Sequence, residues 1–376
     1  MTSRSPNVTL FGPVPGERWI SIERYVEAIS VNAGAAGVAV HAPQLFDDAC
    51  LRPMAGYRAR YRDYPRLARE IAVPAGTIVH VADQALGHLV DVFPRHATVA
   101  TCHDLLPVTT GDHYPGAFAG WFDRTLLRRS LDGLRRATRI IAVTNHTARE
   151  TARVLRVPPA RIAVVPNMLG RAFHQPEAPE RWLAERGVKL PPPPRILSVG
   201  HTRPYKNIET LLAALAAAEL RGVSLVRCGT PLTQRQRALA ARLGVAERIV
   251  ELGHRTPEEL CRIYAACDLL AQPSRAEGFG VPVIEAMACG LPVVCSDAPA
   301  LVEVAGGAAH VAAVSDGDAD VAPSRLAQGL RRVLDDPAYA GTLRARGLER
   351  SRAFLPAVVL PRLIAVYRAA MEESPR

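Results

Sequence analysis

Residues 268–297 read DLLAQPSRAEGFGVPVIEAMACGLPVVCSD, and the order of signals inside them decides the fold. "DLLAQPS" (268–274) is an apolar run of strand length, and "PVVCSD" (292–297) is a second. Between them lies "GFG" (278–280), a turn where glycine lets backbone N–H groups come close to a ligand. Pro282 suits the first position of a short helix over 282–289; Gly290 ends it and Pro292 stands beyond. Strand, turn, helix and strand in this order call for parallel strands joined by a crossover helix. Glu277 opens the turn, and Glu285 is expected in the first turn of the helix. Both carboxylates then belong to one end of a single β-α unit, the end whose helix N–H donors favour an anion. Carboxylates accept hydrogen bonds from vicinal hydroxyls, so two of them with donors between suit a nucleotide sugar. Taken singly, Glu277 reads as a solvated turn residue and Glu285 as a helix-start glutamate favoured by the dipole. The combined pattern does not read that way.

The same alternation runs through the whole chain of 376 residues. In the first half, strands are predicted at 7–12, 37–43, 77–83, 97–105, 139–144 and 162–167, with helices at 21–33, 119–137 and 145–155. The segment 174–194 ends in "PPPP" and reads as a stiff extended spacer. Beyond it strands are predicted at 195–200, 223–229 and 248–253, with helices at 207–218, 233–244, 256–267, 323–336 and 357–371. The fold class is α/β: two Rossmann-like, doubly wound parallel sheets. The expected domains are 1–173, a linker at 174–194, 195–354, and a C-terminal helix in 355–376 that returns to the first domain. Ligands of such sheets sit at the carboxyl ends of the strands, and the default site is a cleft between two facing sheets.

Composition narrows the partners. Lys and Arg number 46 against 36 Asp and Glu, a formal charge of +10, which suits anionic partners or is simply a soluble arginine-rich surface. The first residues lack the apolar core of a signal peptide, and no run of about 18 uninterrupted apolar residues marks a transmembrane helix, so a cytoplasmic protein is expected. Seven scattered cysteines without C-x-x-C are expected to be reduced core thiols, not a disulfide framework or zinc site.

"EGFGVPVIEAMACGLPVVCSD" (277–297) resembles the E-x7-E region of retaining GT-B glycosyltransferases of family 4, the glycogen-synthase-like group. The resemblance implies that Glu277 contacts the donor sugar and Glu285 the nucleotide ribose, with the backbone of Gly278, Phe279 and Gly280 near sugar and phosphates. "VGHTRPYKN" (199–207) is similar to the family loop that neutralises the donor diphosphate: Lys206 matches its lysine. The family's arginine often follows the glycine directly; His201 stands there, and the role passes to Arg203. "TCHDLLP" (101–107) resembles the H-D-L segment, which implies His103 against the donor sugar, with Asp104 orienting the loop as the alternative. "GPVPGERWISIERY" (12–25) takes the place of the glycine-rich loop after the first strand, with Gly12 and Gly16. Asp83 is a candidate on the acceptor side. In "RCGTP" (227–231), Gly229 approaches the base or makes a simple strand-end turn.

The implied reaction is hexosyl transfer, with retention, from a nucleotide-diphosphate sugar to a hydroxyl of a glycan or lipid-linked acceptor; GDP-mannose is the first guess. The resemblance implies no metal and no cofactor, and "DGDAD" (316–320) reads as a surface turn instead of a metal motif. Arginines and aromatics interleave in 52–69 and 121–139. They read as a solvated face, a lipid-headgroup interface or an RNA-stacking surface, and the second suits peripheral contact with the inner face of a membrane. No nucleic-acid partner is expected. A dinucleotide oxidoreductase lacks its G-x-G-x-x-G. A sugar-nucleotide epimerase, or a non-enzymatic nucleic-acid or membrane binder, is the remaining rival.

Overall fold

The computed structural model describes residues 6–14, 20–43, 58–110, 121–314 and 322–373, with only the backbone of 121–124. The chain forms two compact units: one comprises 1–168 with 356–376, the other 169–355.

The first unit is a parallel sheet of six strands: β1 (Asn7–Phe11), β2 (Ala39–His41), β3 (Ile78–Val81), β4 (Thr98–Cys102), β5 (Arg139–Ala142) and β6 (Ile162–Val164), in the order β2-β1-β3-β4-β5-β6. Its helices are α1 (Ile20–Ala33), α2 (Tyr64–Glu70), α3 (Trp121–Arg136) and α4 (Asn145–Leu155). Alternate side chains feed two cores, as strand geometry demands. Val8, Leu10 and Ile78 pack on one face with Tyr25 and Ile29 of α1. Phe11, Val79 and Val81 pack on the other with Leu86 and Leu134. Strands buried on both faces read as unbroken apolar runs, which is why the pattern was visible in the sequence. On that second face a Cβ at Gly87 or Gly133 would lie under 3.0 Å from backbone of the opposing segment, so α3 and the 3-10 turn Gln84–Val92 meet backbone to backbone.

The C-terminal helix Pro356–Glu372 belongs to this unit, with Val359, Leu363, Ile364 and Tyr367 in the first core. By length and composition the stretch Pro337–Glu372 is apolar enough to cross a membrane. It is broken at Arg352–Phe354, and its second part covers the sheet.

The second unit repeats the design: β7 (Arg195–Gly200), β8 (Ser224–Gly229), β9 (Ile249–Gly253), β10 (Leu269–Gln272), β11 (Val293–Ser296) and β12 (His310–Ala312), all parallel, in the order β12-β11-β10-β7-β8-β9. Its helices are α5 (Pro179–Glu185), α6 (Ile208–Leu215), α7 (Gln234–Arg242), α8 (Pro257–Ala266), α9 (Val281–Ala288), α10 (Pro299–Ala305), α11 (Ala322–Asp335) and α12 (Pro337–Ser351). Helices α7 and α8 start with capping boxes, Thr233 with Gln236 and Thr256 with Glu259.

Two readings differ from the structure. The expected spacer 174–194 carries α5, whose Leu183 is buried and whose Trp182 ring lies 3.9 Å under the Arg262 guanidinium of α8. Pro179 falls in the first turn, where a missing N–H costs nothing, so proline richness here starts a helix. Strand β12 and helices α10 and α12 had no sequence prediction. Of the two basic-aromatic stretches, Tyr64 is buried with its hydroxyl on the Gly12 carbonyl (2.8 Å), and Arg60 is buried too. Tyr61 is half-buried against His88, ring centroids 4.7 Å apart. Arg52, Tyr57, Gly16 and the 316–320 turn lie outside the described residues, as does Cys50; the other six cysteines are free and buried.

Candidate active site

The strand order of the second unit has one switch point, between β7 and β10: β8 and β9 extend to one side, β11 and β12 to the other. The loops leaving the carboxyl ends of β7 and β10 are therefore neighbours, the place where open α/β sheets bind ligands. Lys206 stands in the first loop and Glu277 in the second. They form a buried ion pair, Nζ to Oε1 2.7 Å, with both side chains about one-tenth exposed. The same Oε1 accepts from Gln272 Nε2 (2.7 Å), at the end of β10, and from Ser274 Oγ (2.7 Å). Among the described residues no donor reaches Oε2. Three donors on one oxygen fix the carboxylate and leave the other oxygen for a ligand.

Asn207 joins the two loops. It takes the left-handed conformation (φ 56°), which asparagine tolerates better than most residues. Its Nδ2 donates to the Pro273 carbonyl (3.0 Å), and its Oδ1 accepts from Thr210 Oγ1 (2.7 Å). The Arg275 N–H adds a bond to the Tyr205 carbonyl (2.8 Å). Lys206 is thus held from both sides in sequence.

Gly280 caps α9 with φ 92°, and a Cβ there would lie under 3.0 Å from Leu301 Cδ2. Phe279 is buried edge-on against Phe354 (5.6 Å), so its ring belongs to the core and only its backbone is available near Gly278. Glu285 is the fifth residue of α9 and not in its first turn, because the helix begins at Val281. Its position owes nothing to the helix dipole. It is buried, and its Oε2 accepts from the Tyr264 hydroxyl of α8 (2.9 Å). Burial and the adjacent Glu285 carboxylate push the Tyr264 phenol well above its ordinary range, so it stays a donor.

In the β7 loop, His201 Nδ1 accepts from the Arg203 N–H (3.3 Å), so Nε2 carries the ring proton and donates to the Tyr205 hydroxyl (2.9 Å). Burial, then the charges of Lys206, Arg203 and Arg227, push His201 far below the usual histidine range. This loop is a cationic environment with a neutral imidazole inside it. Gly229 (φ 109°) closes β8 so tightly on β7 that a Cβ would lie under 3.0 Å from the Gly200 carbonyl. That fit requires glycine without invoking a base contact.

His103 and Gly12 belong to the first unit. His103 follows β4; its N–H donates to Gln84 Oε1 (2.8 Å) and its Nε2 to the Ala82 carbonyl (3.0 Å), with the Tyr25 ring edge-on at 4.8 Å. Burial pushes its pKa down to about 4, so the ring is neutral at pH 7 and Nδ1 is the acceptor nitrogen. Asp104 Oδ1 accepts from Leu106 N–H (3.1 Å) and so orients its own loop. Asp83, the acceptor-side candidate, caps the Gln84–Val92 turn with Oδ1 accepting from Ala85 N–H (2.6 Å). Gly12 sits where a Cβ would meet Val26 Cγ2 at 3.3 Å.

Gln272, Ser274, Asn207 and Tyr264 were not singled out from the sequence as site residues. Asn207 and Ser274 stood inside quoted motifs, but Tyr264 meets Glu285 only through the packing of α8 on α9, and no spacing in the chain signals it.

Comparison with known proteins gives the same picture. Residues 183–350 match the family model for glycosyl transferases group 1, and residues 22–169 that for glycosyltransferase family 4. An O-antigen chain mannosyltransferase B of Escherichia coli is 30% identical over 271 residues, 68% of this chain and 66% of that protein. A D-inositol 3-phosphate glycosyltransferase of Mycolicibacterium gilvum is 36% identical over 167 residues, 43% of this chain and 37% of that protein. The chain thus spans less than two thirds of the length of either relative. The structure of HepE from Anabaena, in complex with UDP and glucose, superposes with a TM-score of 0.73 at 17% identity, covering 97% of this chain and 100% of that one, which shows the shared fold. The two sheets have the GT-B fold, and the chain belongs to the group 1, family 4 glycosyltransferases.

Proposed function

We propose that the protein transfers a hexose from a nucleoside-diphosphate sugar to a hydroxyl of a glycan or lipid-linked acceptor, with retention of configuration and with GDP-mannose as the first donor to test. The observation that carries this reading is the Glu277 carboxylate: three donors hold one oxygen, and the other is left to accept from sugar hydroxyls. Glu285, steadied by Tyr264, takes the ribose hydroxyls. Lys206 and Arg203 oppose the charge that develops on the leaving diphosphate, the largest electrostatic demand of such a reaction. Neutral His103 offers Nδ1 as an acceptor for the donor sugar.

The comparisons support a spread of donors, because one relative is a mannosyltransferase and one fold neighbour was crystallised with UDP and glucose. A thermal-shift panel of GDP-, UDP-, ADP- and dTDP-sugars separates them, since a ligand that binds only the folded state raises its melting temperature. One nucleotide sugar is expected to stabilise the protein. No shift from any of them at millimolar concentration would overturn the reading. The same reading places the protein in the cytoplasm, peripheral on the inner membrane face, with Arg128, Arg129 and Arg135 exposed along α3 to meet anionic headgroups. Failure to pellet with anionic vesicles at low salt would remove that clause.

A further inference from the structure

Arg227 on β8 is a buried cation without an ion-pair partner among the described residues. It is 2% exposed. Its Nη1 donates to Ser198 Oγ (2.8 Å), and its Nη2 reaches the Gly200 and Thr230 carbonyls, both at 3.3 Å. Its Nε is buried without a partner. Among the described residues no carboxylate lies within the 4.0 Å of an ion pair. The in-register neighbour Glu251 favours this charge from a distance, but its carboxylate is shared with Arg237 (3.1 Å) and the Leu232 N–H (2.6 Å). Burying a guanidinium without a counter-charge is unfavourable, and two long bonds to carbonyls offset little of it. Elsewhere the fold shows how a buried charge is normally compensated: Lys206 has Glu277.

The location supplies the missing half. Gly200 and Thr230 mark the carboxyl ends of β7 and β8, and the loop from Gly200 carries His201, Arg203 and Lys206. By bonding both carbonyl oxygens, Arg227 draws inward the negative dipole ends that would repel an anion there. Its own charge, shielded from water, is screened much less than a surface charge would be.

We propose that Arg227 is a positioning residue for the donor diphosphate, a fixed positive charge behind the β7 loop whose counter-ion is the diphosphate of the bound nucleotide. It acts through the field and through the Gly200–Thr230 backbone and does not touch the ligand. The inference rests on the donor-site reading above.

The test is calorimetric titration of inorganic pyrophosphate, GDP and UDP into wild type, Arg227→Met, Arg227→Gln and Arg227→Lys, with folding checked by circular dichroism. Arg227→Met and Arg227→Gln should weaken whichever diphosphate binds by about tenfold or more, and Arg227→Lys should stay within about threefold of wild type, because charge and not shape is what the site uses. Should Arg227→Met fail to fold, Gln against Lys makes the same comparison, since Gln keeps an amide donor without charge. Equal losses in all variants would show a purely structural role and overturn the inference, as would wild-type affinity in Met or Gln. Wild type that binds none of the three probes removes the donor-site reading itself, an outcome visible before any variant is compared.

Discussion

The carboxyl ends of the two sheets handle buried polar groups in opposite ways. In the second unit they are charged and converge: Lys206, Gln272 and Ser274 on one oxygen of Glu277, with Arg203 and Arg227 nearby. In the first unit, beside the buried Asp83 carboxylate that caps a turn, a neutral set forms a chain. Tyr367 OH meets His80 Nδ1 (2.9 Å), His80 Nε2 meets Thr101 Oγ1 (2.8 Å), and Thr101 Oγ1 meets Tyr25 OH (2.9 Å), whose ring lies against His103. Burial pushes His80 down to about 3 and both tyrosines up, so nothing in this chain carries charge at neutral pH. A neutral network ties the C-terminal helix to the sheet, with the Tyr25 ring against His103; the charged cluster of the second unit is where the proposed donor would bind.

Acid should separate the two units most strongly. In the first, burial holds His80 at about 3 and His88 and His103 at about 4, all below the ordinary value of 6.5. A histidine depressed in the folded state contributes stability that is fully present above 6.5 and lost as pH falls toward its folded value. Each adds roughly 1.4 kcal/mol per pH unit between those limits. In the second unit only His201 is depressed as far. Hydrogen exchange at pH 7 and pH 5 should show the first unit losing more protection; equal losses would mean that the two units respond alike to acid.

Glu277→Ala comes next. It leaves Lys206 buried and unpaired, at a cost of about 3–5 kcal/mol. The expected fall in melting temperature is roughly 10 °C for a unit of this size. Replacing both residues, Glu277→Leu with Lys206→Met, should recover most of that loss while abolishing transfer. A double variant as unstable as the single would show that the ion pair is not what the single variant broke.

Gly280→Ala should cost about 1–3 kcal/mol, because φ 92° is unfavourable for alanine and the new Cβ meets Leu301. Urea unfolding measures it, and nucleotide binding should weaken with it. Smallest is Tyr367→Phe. It removes one hydroxyl from the neutral chain at about 1 kcal/mol. It should leave nucleotide affinity unchanged, since the second unit does not depend on it. A drop in affinity would contradict the division of labour.

Much of this architecture was legible in the chain. Buried parallel strands such as Ile78–Val81 and Leu269–Gln272 are apolar throughout, and glycine and proline punctuate the turns between them. The three-residue strand His310–Ala312 was not legible, because "AAHVAAV" has neither the length nor the alternation of a strand signal. Helix α5 hid among prolines. At the site, Glu277, Glu285, Lys206 and Arg203 stand out by motif. Gln272, Tyr264 and Arg227 do not, because their roles follow from strand order and helix packing. Even the register of Glu285 was off by one residue, since Val281 and not Pro282 opens the helix and its Gly280 cap has no side chain to mark the start.

Under the proposed function, the second unit binds a nucleoside diphosphate through Glu285 and the β7 and β10 loops. Titrating GDP, UDP, ADP and dTDP into wild type and Glu285→Ala by calorimetry tests it most directly. One nucleotide is expected to bind wild type, and Glu285→Ala to weaken it by about tenfold or more, as when a buried charged acceptor is lost. No binding by wild type, or equal binding by the variant, would contradict it.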